Sequence, residues 1–417
     1  MISPRLTLPS GLRLGTSALL CLALMATEGA AAPQGAGDNQ LTDFRSPEAC
    51  RDCHKAVYED YLQTSHSRAM SEIVAGEMEN LFTPEQQYFY VKKDTARSIF
   101  YKLVSSDAGY EQQIFTPGKN GPRQLNRLTI DLQLGSGKLS RAFLRRDGDR
   151  LFLNPLSYYP GSEQWAFGPG ARGHLYSMQG ERPITASCLD CHSGYFETGD
   201  RSEYTGPKRP LDEFVYLADT FVVKKENAVL PISCAKCHGD SEQHIRYHRQ
   251  NPDEKVAQHM VKIDDLTQTQ QVQVCGFCHT PPGAITRKPF TFQPGDLYTD
   301  FVEPEVLDFS NPDPHATQAP FLAVSECFKN TPSMTCSTCH NPHQSERDQL
   351  ALFSQRCQEC HASSDSHCSA TAMDDAEATS NCIDCHMPRQ ASGLRIDGKD
   401  GKPLLMQMRT HWIKVHK

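Results

Sequence analysis

Seven copies of one short pattern, C-x-x-C-H, constrain this chain more than any other feature. They read CRDCH (Cys50, Cys53, His54), CLDCH (Cys188, Cys191, His192), CAKCH (Cys234, Cys237, His238) and CGFCH (Cys275, Cys278, His279). The series continues as CSTCH (Cys336, Cys339, His340), CQECH (Cys357, Cys360, His361) and CIDCH (Cys382, Cys385, His386). Fourteen of the 17 cysteines lie in these motifs, leaving Cys21, Cys327 and Cys368. Structural zinc needs four nitrogen or sulfur ligands per ion, but not a histidine directly after every cysteine pair. Thioredoxin-like pairs need a βαβ setting that these lack. Plain disulfides leave the seven histidines unexplained. The pattern is the attachment signature of c-type haem. Each thiol adds to one porphyrin vinyl group as a thioether, and the adjoining imidazole becomes the proximal iron ligand. Seven covalently attached haems c are therefore expected.

The chain opens MISPRLTLPSGLRLGTSALLCLALMATEGAAAP. Arg5 and Arg13 precede an apolar run from Leu14 to Met25, followed by small residues from Gly29 to Ala32. This is the layout of a secretory leader over residues 1–32, with an apolar run shorter than the roughly 20 residues of a membrane span. Cys21 lies inside that run, and Ala18-Leu19-Leu20 lacks the small residue that precedes a lipoprotein cysteine, so no lipid anchor is expected. No later segment is long and apolar enough to span a bilayer. Haem is attached outside the bacterial cytoplasm, so the expected location is the periplasm of a Gram-negative cell. The net charge is −8. Loss of Arg5, Arg13 and Glu28 with the leader makes it −9, which argues against nucleic-acid binding and favours solubility. A hydrophobic fraction of 38 % is modest for 417 residues. Porphyrin faces are expected to supply much of the core, and the haem-free chain to be largely unfolded.

Residues 33–84 form the N-terminal haem segment. In ACRDCHKAVYEDYLQTSHSRAM the spacing of Val57, Tyr58 and Tyr61 predicts a helix. Residues 85–160 contain no cysteine and read as a β-rich module. QYFYVKK, SIFYKLV and EQQIFTP are strand-like. RLTIDLQLGSGKLSRAFLRRDGDRLFLNPLSYY reads as a three-stranded meander turning at Gly135-Ser136-Gly137 and Asp147-Gly148-Asp149. Packing is the expected role of this module; a docking surface or a lid over one haem are its functional alternatives. Residues 161–417 carry the other six motifs on short helices joined by loops, with long connections in TPPGAITRKPFTFQPGD and NPDPHATQAP.

CRDCHKAVYEDYLQTSHSRAM resembles the opening of the cytochrome c-five-fifty-four-like multihaem cytochromes, in which C-x-x-C-H is followed by an aromatic-containing helix and a serine-histidine pair. ISCAKCHGDSEQHI, MTCSTCHNPH and NCIDCHMPR are similar to further segments of that group, including exported members fused to tetratricopeptide repeats. No such repeat is visible here. The resemblance implies a multihaem cytochrome of mainly short α-helices and loops around a haem core, with the β-rich module near the N-terminal third. It also implies distal iron ligation by His66, His244 and His343. His343 is too near its own motif to reach the far face of the same porphyrin, so a neighbouring iron is its expected target. His315 and His411 lie where related chains often carry a histidine, and His174, after GPGARG, is a sixth candidate. His248 and His259 fit less well; His367 and His416 read equally as surface residues. Cys327 and Cys368 can pair in an oxidising compartment, stay free, or supply a thiolate ligand.

Two functions compete. A chain of mostly bis-histidine haems passes electrons between periplasmic or membrane-associated redox proteins, because no substrate reaches a closed iron. The alternative is a multihaem oxidoreductase acting on hydroxylamine, nitrite or tetrathionate at one open haem, with Tyr158, Tyr159, Arg172 and His174 as possible polar helpers. No C-x-x-C-K motif, which marks some nitrite-reducing relatives, is present.

Overall fold

The computed structural model describes residues 44–84, 88–91, 98–148, 150–169, 171, 175–200, 221–281, 283–361, 380–394, 396–398 and 402–416. The leader at 1–32 lies outside these residues, as do Cys21, Arg172, His174, His367 and Cys368.

Strands dominate between the first two motifs. Strands β2 (Tyr88–Val91), β3 (Ile99–Ser106), β4 (Gly109–Thr116) and β5 (Arg123–Thr129) form an antiparallel sheet in sequential order. Ile99, Tyr101 and Leu103 alternate inward along β3, the two-residue period of a half-buried strand. A second sheet has the order β1-β6-β7-β8-β11, from β1 (Met70–Glu72), β6 (Leu132–Leu134), β7 (Ala142–Asp147), β8 (Arg150–Leu153) and β11 (Arg182–Pro183). Strands β9 (Leu156–Tyr159) and β10 (Gln164–Phe167) make a separate hairpin.

The stretch expected to hold three strands thus holds five. Two local causes divide it. Ile130 N–H bonds to the Tyr110 carbonyl in the first sheet, whereas Asp131 N–H bonds to the Leu144 carbonyl in the second, so the chain changes sheets between adjacent residues. Pro155, which has no N–H to donate, separates β8 from β9.

Between the sheets lies an aromatic core of Phe82, Tyr101, Tyr110, Phe143, Tyr158, Trp165 and Phe167. Two of its polar tips reach backbone carbonyls: Trp165 Nε1–H donates to Leu81 O at 2.8 Å, and Tyr101 O–H to Met178 O at 2.6 Å. A second cluster joins Met70, Leu132, Leu144 and Leu151 to Ala186 and Leu189, which lie on the helix Ala186–His192 of the second motif. The second sheet therefore grips the chain between the first and second motifs at both ends, through β1 just after His66 and through β11 just before the second motif.

From Ala186 onward the elements are mostly short. Motif residues lie on the helices Cys234–His238, Gln268–Gly276, Cys336–Cys339, Leu350–His361 and Cys382–His386. Thr267 caps Gln268–Gly276 through a reciprocal capping box with Gln270. The helix read after the first motif spans Lys55–Tyr61; Tyr61 is buried and its O–H donates to Ile232 O at 2.8 Å. Near the C-terminus, Gln407–Arg409 pairs antiparallel with Arg389–Ala391, folding the last residues back over the seventh motif. Among the described residues no helix is long and apolar enough to cross a membrane.

Trp165 is 3 % exposed and meets three aromatic rings, those of Phe82, Phe143 and Tyr158. Trp165→Ala should destabilise this region by about 3–5 kcal/mol, read as a lower thermal midpoint in near-ultraviolet circular dichroism.

Candidate functional site

Histidines distant in sequence meet in pairs, and each pair joins one motif histidine to one outside the motifs. Ring centres of His54 and His244 are 6.4 Å apart at an interplanar angle of 19°. His279 and His66 are 6.4 Å apart, His238 and His343 6.0 Å, and His340 and His411 6.1 Å. Metal–imidazole bonds of about 2 Å, with each ring centre roughly 1 Å behind its nitrogen, put two axial imidazoles of one metal roughly 6 Å apart. The spacing of these four pairs fits an iron between their rings. His315 lies near enough to His192 to lower its pKa, an effect second to that of burial. His361 and His386 belong to none of these pairs among the described residues.

Each partner is delivered by identifiable local structure. His66 follows the helix Lys55–Tyr61, and its carbonyl accepts from Ile232 N–H at 3.1 Å, just before the third motif. His411 follows Gln407–Arg409, and Ser325 Oγ–H donates to its carbonyl at 3.1 Å. His315 sits in a turn where its N–H donates to Asp313 Oδ1 at 2.9 Å. His343 stands opposite His238, not opposite the histidine of its own motif.

In eight of these imidazoles, His66, His192, His238, His279, His315, His340, His343 and His411, burial favours the neutral form, which has a free lone pair for a metal. His66 is pushed down to about 4, by burial first and by His279 second. His411 is pushed down to about 4 by burial, then by His340. His238, His279, His315, His340 and His343 are likewise lowered, in each case first by burial.

Second contacts set which nitrogen is free. His244 Nδ1–H donates to Gln258 O at 2.8 Å, which leaves Nε2 as the ring nitrogen with the lone pair. Gln258 N–H in turn donates to His248 Nε2 at 3.3 Å. His248, which in sequence only shares a helix face with His244, braces the loop that orients it. His386 Nδ1–H donates to Lys414 O at 3.1 Å. Gln258 carried no sequence signal, because its contribution is made by backbone atoms.

Thiols of different motifs also meet. Cys50 lies against Cys234, Cys191 against Cys278, and Cys275 against Cys336. Weaker electrostatic contacts link Cys237 with Cys278, Cys339 with Cys360, and Cys357 with Cys382. Cys327 lies near Cys339 and Cys360. Zinc would gather about four such ligands around one point; among the described residues no three His, Cys, Asp or Glu side chains are so gathered. Tyr158 and Tyr159 belong to packing: Tyr158 lies against Trp165, and Tyr159 O–H donates to Phe167 O at 3.1 Å.

The fifth and sixth motifs are joined by an ion pair. Arg356, directly before Cys357, grips both oxygens of Glu346 at 2.5 and 2.8 Å and donates to Cys339 O at 2.6 Å. Hydrogen bonds from Arg356, then one from Asn341 N–H, hold the Glu346 carboxyl below the usual carboxylate range, against the opposing effect of burial. A depressed folded value means stabilisation that is present above the unfolded value of about 4.3 and lost as pH falls through the folded value. Glu346→Gln should therefore be less stable than the parent at about pH 7, and the gap should close on acidification below about pH 4, as measured by parallel thermal melts.

Two stretches match family models: residues 49–96 match Cytochrome c554 and c-prime, and residues 170–281 match Cytochrome c552. No curated protein and no solved structure matches the chain. Both families imply covalently bound haem c and a c-type cytochrome in electron transfer or redox catalysis. The first match spans the motif of His54 together with His66, and the second the motifs of His192, His238 and His279; together they show a cytochrome c-like multihaem protein.

Proposed function

We propose that this chain is a periplasmic seven-haem c-type cytochrome that carries electrons between redox partners through mostly bis-histidine haems. The observation that carries this reading is the set of four imidazole pairs with ring centres 6.0 to 6.4 Å apart. Cys50 and Cys53, Cys188 and Cys191, Cys234 and Cys237, Cys275 and Cys278, Cys336 and Cys339, Cys357 and Cys360, and Cys382 and Cys385 would hold the seven porphyrins. His54, His192, His238, His279, His340, His361 and His386 would be the proximal ligands. His244, His315, His343, His66 and His411 would complete the first five irons in chain order. His174, outside the described residues, remains a candidate for one of the other two.

Bound haem supplies reversible one-electron chemistry at iron. In this reading the paired imidazoles would hold five of the irons from two sides, burial of most of those rings would keep water away, and the chain would bring the attachment points together. The thiol contacts suggest a relay running through motifs one, three, four, five, six and seven, with motif two branching from motif four. Partners would be other periplasmic redox proteins or a quinol-oxidising complex at the inner membrane.

Intact-mass measurement of the purified holoprotein should give seven haem additions, and electron paramagnetic resonance of the oxidised form should be dominated by low-spin iron. His66→Ala and His244→Ala should each convert one of the seven haems to a high-spin, cyanide-binding form. If neither substitution changes spin state or ligand binding, the assigned pairs are wrong. A high-spin haem in the unsubstituted protein that binds nitric oxide would move the reading to the oxidoreductase, to be tried with hydroxylamine, nitrite and tetrathionate.

A further inference from the structure

The middle residues of three haem motifs converge on one buried point. Asp190 is the third residue of CLDCH, Lys236 the third of CAKCH, and Phe277 the third of CGFCH. Lys236 Nζ lies 2.5 Å from Asp190 Oδ1, with the two side chains 12 % and 6 % exposed. The same ammonium sits 5.7 Å from the ring centre of Phe277 and 4.8 Å from that of Phe290. Around it lie the thiols of Cys191, Cys237 and Cys278, one from each of the three motifs. Cys191 Sγ also reaches Phe277 O at 3.8 Å.

C-x-x-C-H attachment leaves the two middle residues free to vary, so nothing in haem attachment asks for opposite charges here. Burying them is costly, and the cost is offset only while both are present. Their field acts through a low-dielectric interior with little ionic screening. The nearest groups able to feel it are those attached at motifs two, three and four.

We propose that the Asp190–Lys236 pair is an electrostatic tuning element for the haems of the second, third and fourth motifs, with both residues acting as positioning residues through the field they impose. This rests on the haem-relay reading. A fixed cation beside a haem opposes loss of an electron and raises its reduction potential; a fixed anion lowers it. The pair presents both signs, so its two halves nearly cancel at a distance and differ only at the junction. Breaking it from either side exposes one uncompensated charge, and the two breaks have opposite sign.

The test is a spectroelectrochemical titration of the full-length holoprotein as isolated, for the parent, Lys236→Met, Asp190→Asn and the double variant, with haem content of each measured by intact mass. Lys236→Met, leaving Asp190 alone, should shift up to three of the haem potentials downward. Asp190→Asn, leaving Lys236 alone, should shift the same haems upward. The double variant should return them towards the parent, and the remaining haems should not move. With full haem content, shifts of the same direction in both single variants, or no shift in either, would overturn the proposal. So would haem loss in both single variants that the double variant restores, since that makes the pair an assembly contact only. Failure of the relay reading has a separate signature: the parent itself would carry fewer haems, or would lack haem on peptides containing Cys188, Cys234 or Cys275.

Discussion

A neutral imidazole in an apolar interior is the condition on which the haem-bearing part of this fold depends. Free in water, a histidine near neutral pH is divided between two charge states. Within this chain, burial pushes His66 and His411 down to about 4, and it lowers six more histidines in the same direction. The depressed values describe rings that are ready to donate a lone pair to a metal.

Much of the remaining structure serves to deliver those rings. The two sheets between the first and second motifs hold both flanks of a long insertion, so that the segment carrying His66 and the helix of His192 share one support. Trp165 and Tyr101 lock this support internally through Leu81 and Met178. Further along, regular secondary structure gives way to individual contacts: Gln258 orients His244, Ser325 holds the backbone at His411, and Asp313 shapes the turn at His315. Ion pairs between motifs, Glu346 with Arg356 and Asp190 with Lys236, cross-link segments that carry little hydrophobic core of their own.

Legibility from sequence divided along physical lines. The C-x-x-C-H pattern is local, because thioether attachment and proximal ligation involve five consecutive residues, and so it can be read directly. Strand positions were readable from two-residue alternation in SIFYKLV and EQQIFTP. The meander was under-divided, because a switch between sheets at Ile130 and Asp131 leaves no mark in hydrophobic periodicity. His248 looked like a neighbour of His244 on one helix face; its contact with the Gln258 N–H depends on a loop that folds back from ten residues away. The middle residues of the motifs looked interchangeable, and the meeting of Asp190, Lys236 and Phe277 could not be read from any one motif.

The sequence by itself determined the chemistry that the chain can attach, since bonding distances within C-x-x-C-H are set by the covalent chain. It also determined which histidines were in surplus. Only the tertiary structure decided how that surplus is distributed: His66 opposite His279, His343 opposite His238, His411 opposite His340. Those partners are separated by tens to hundreds of residues, and their meeting depends on loop paths and burial, which no local spacing rule encodes.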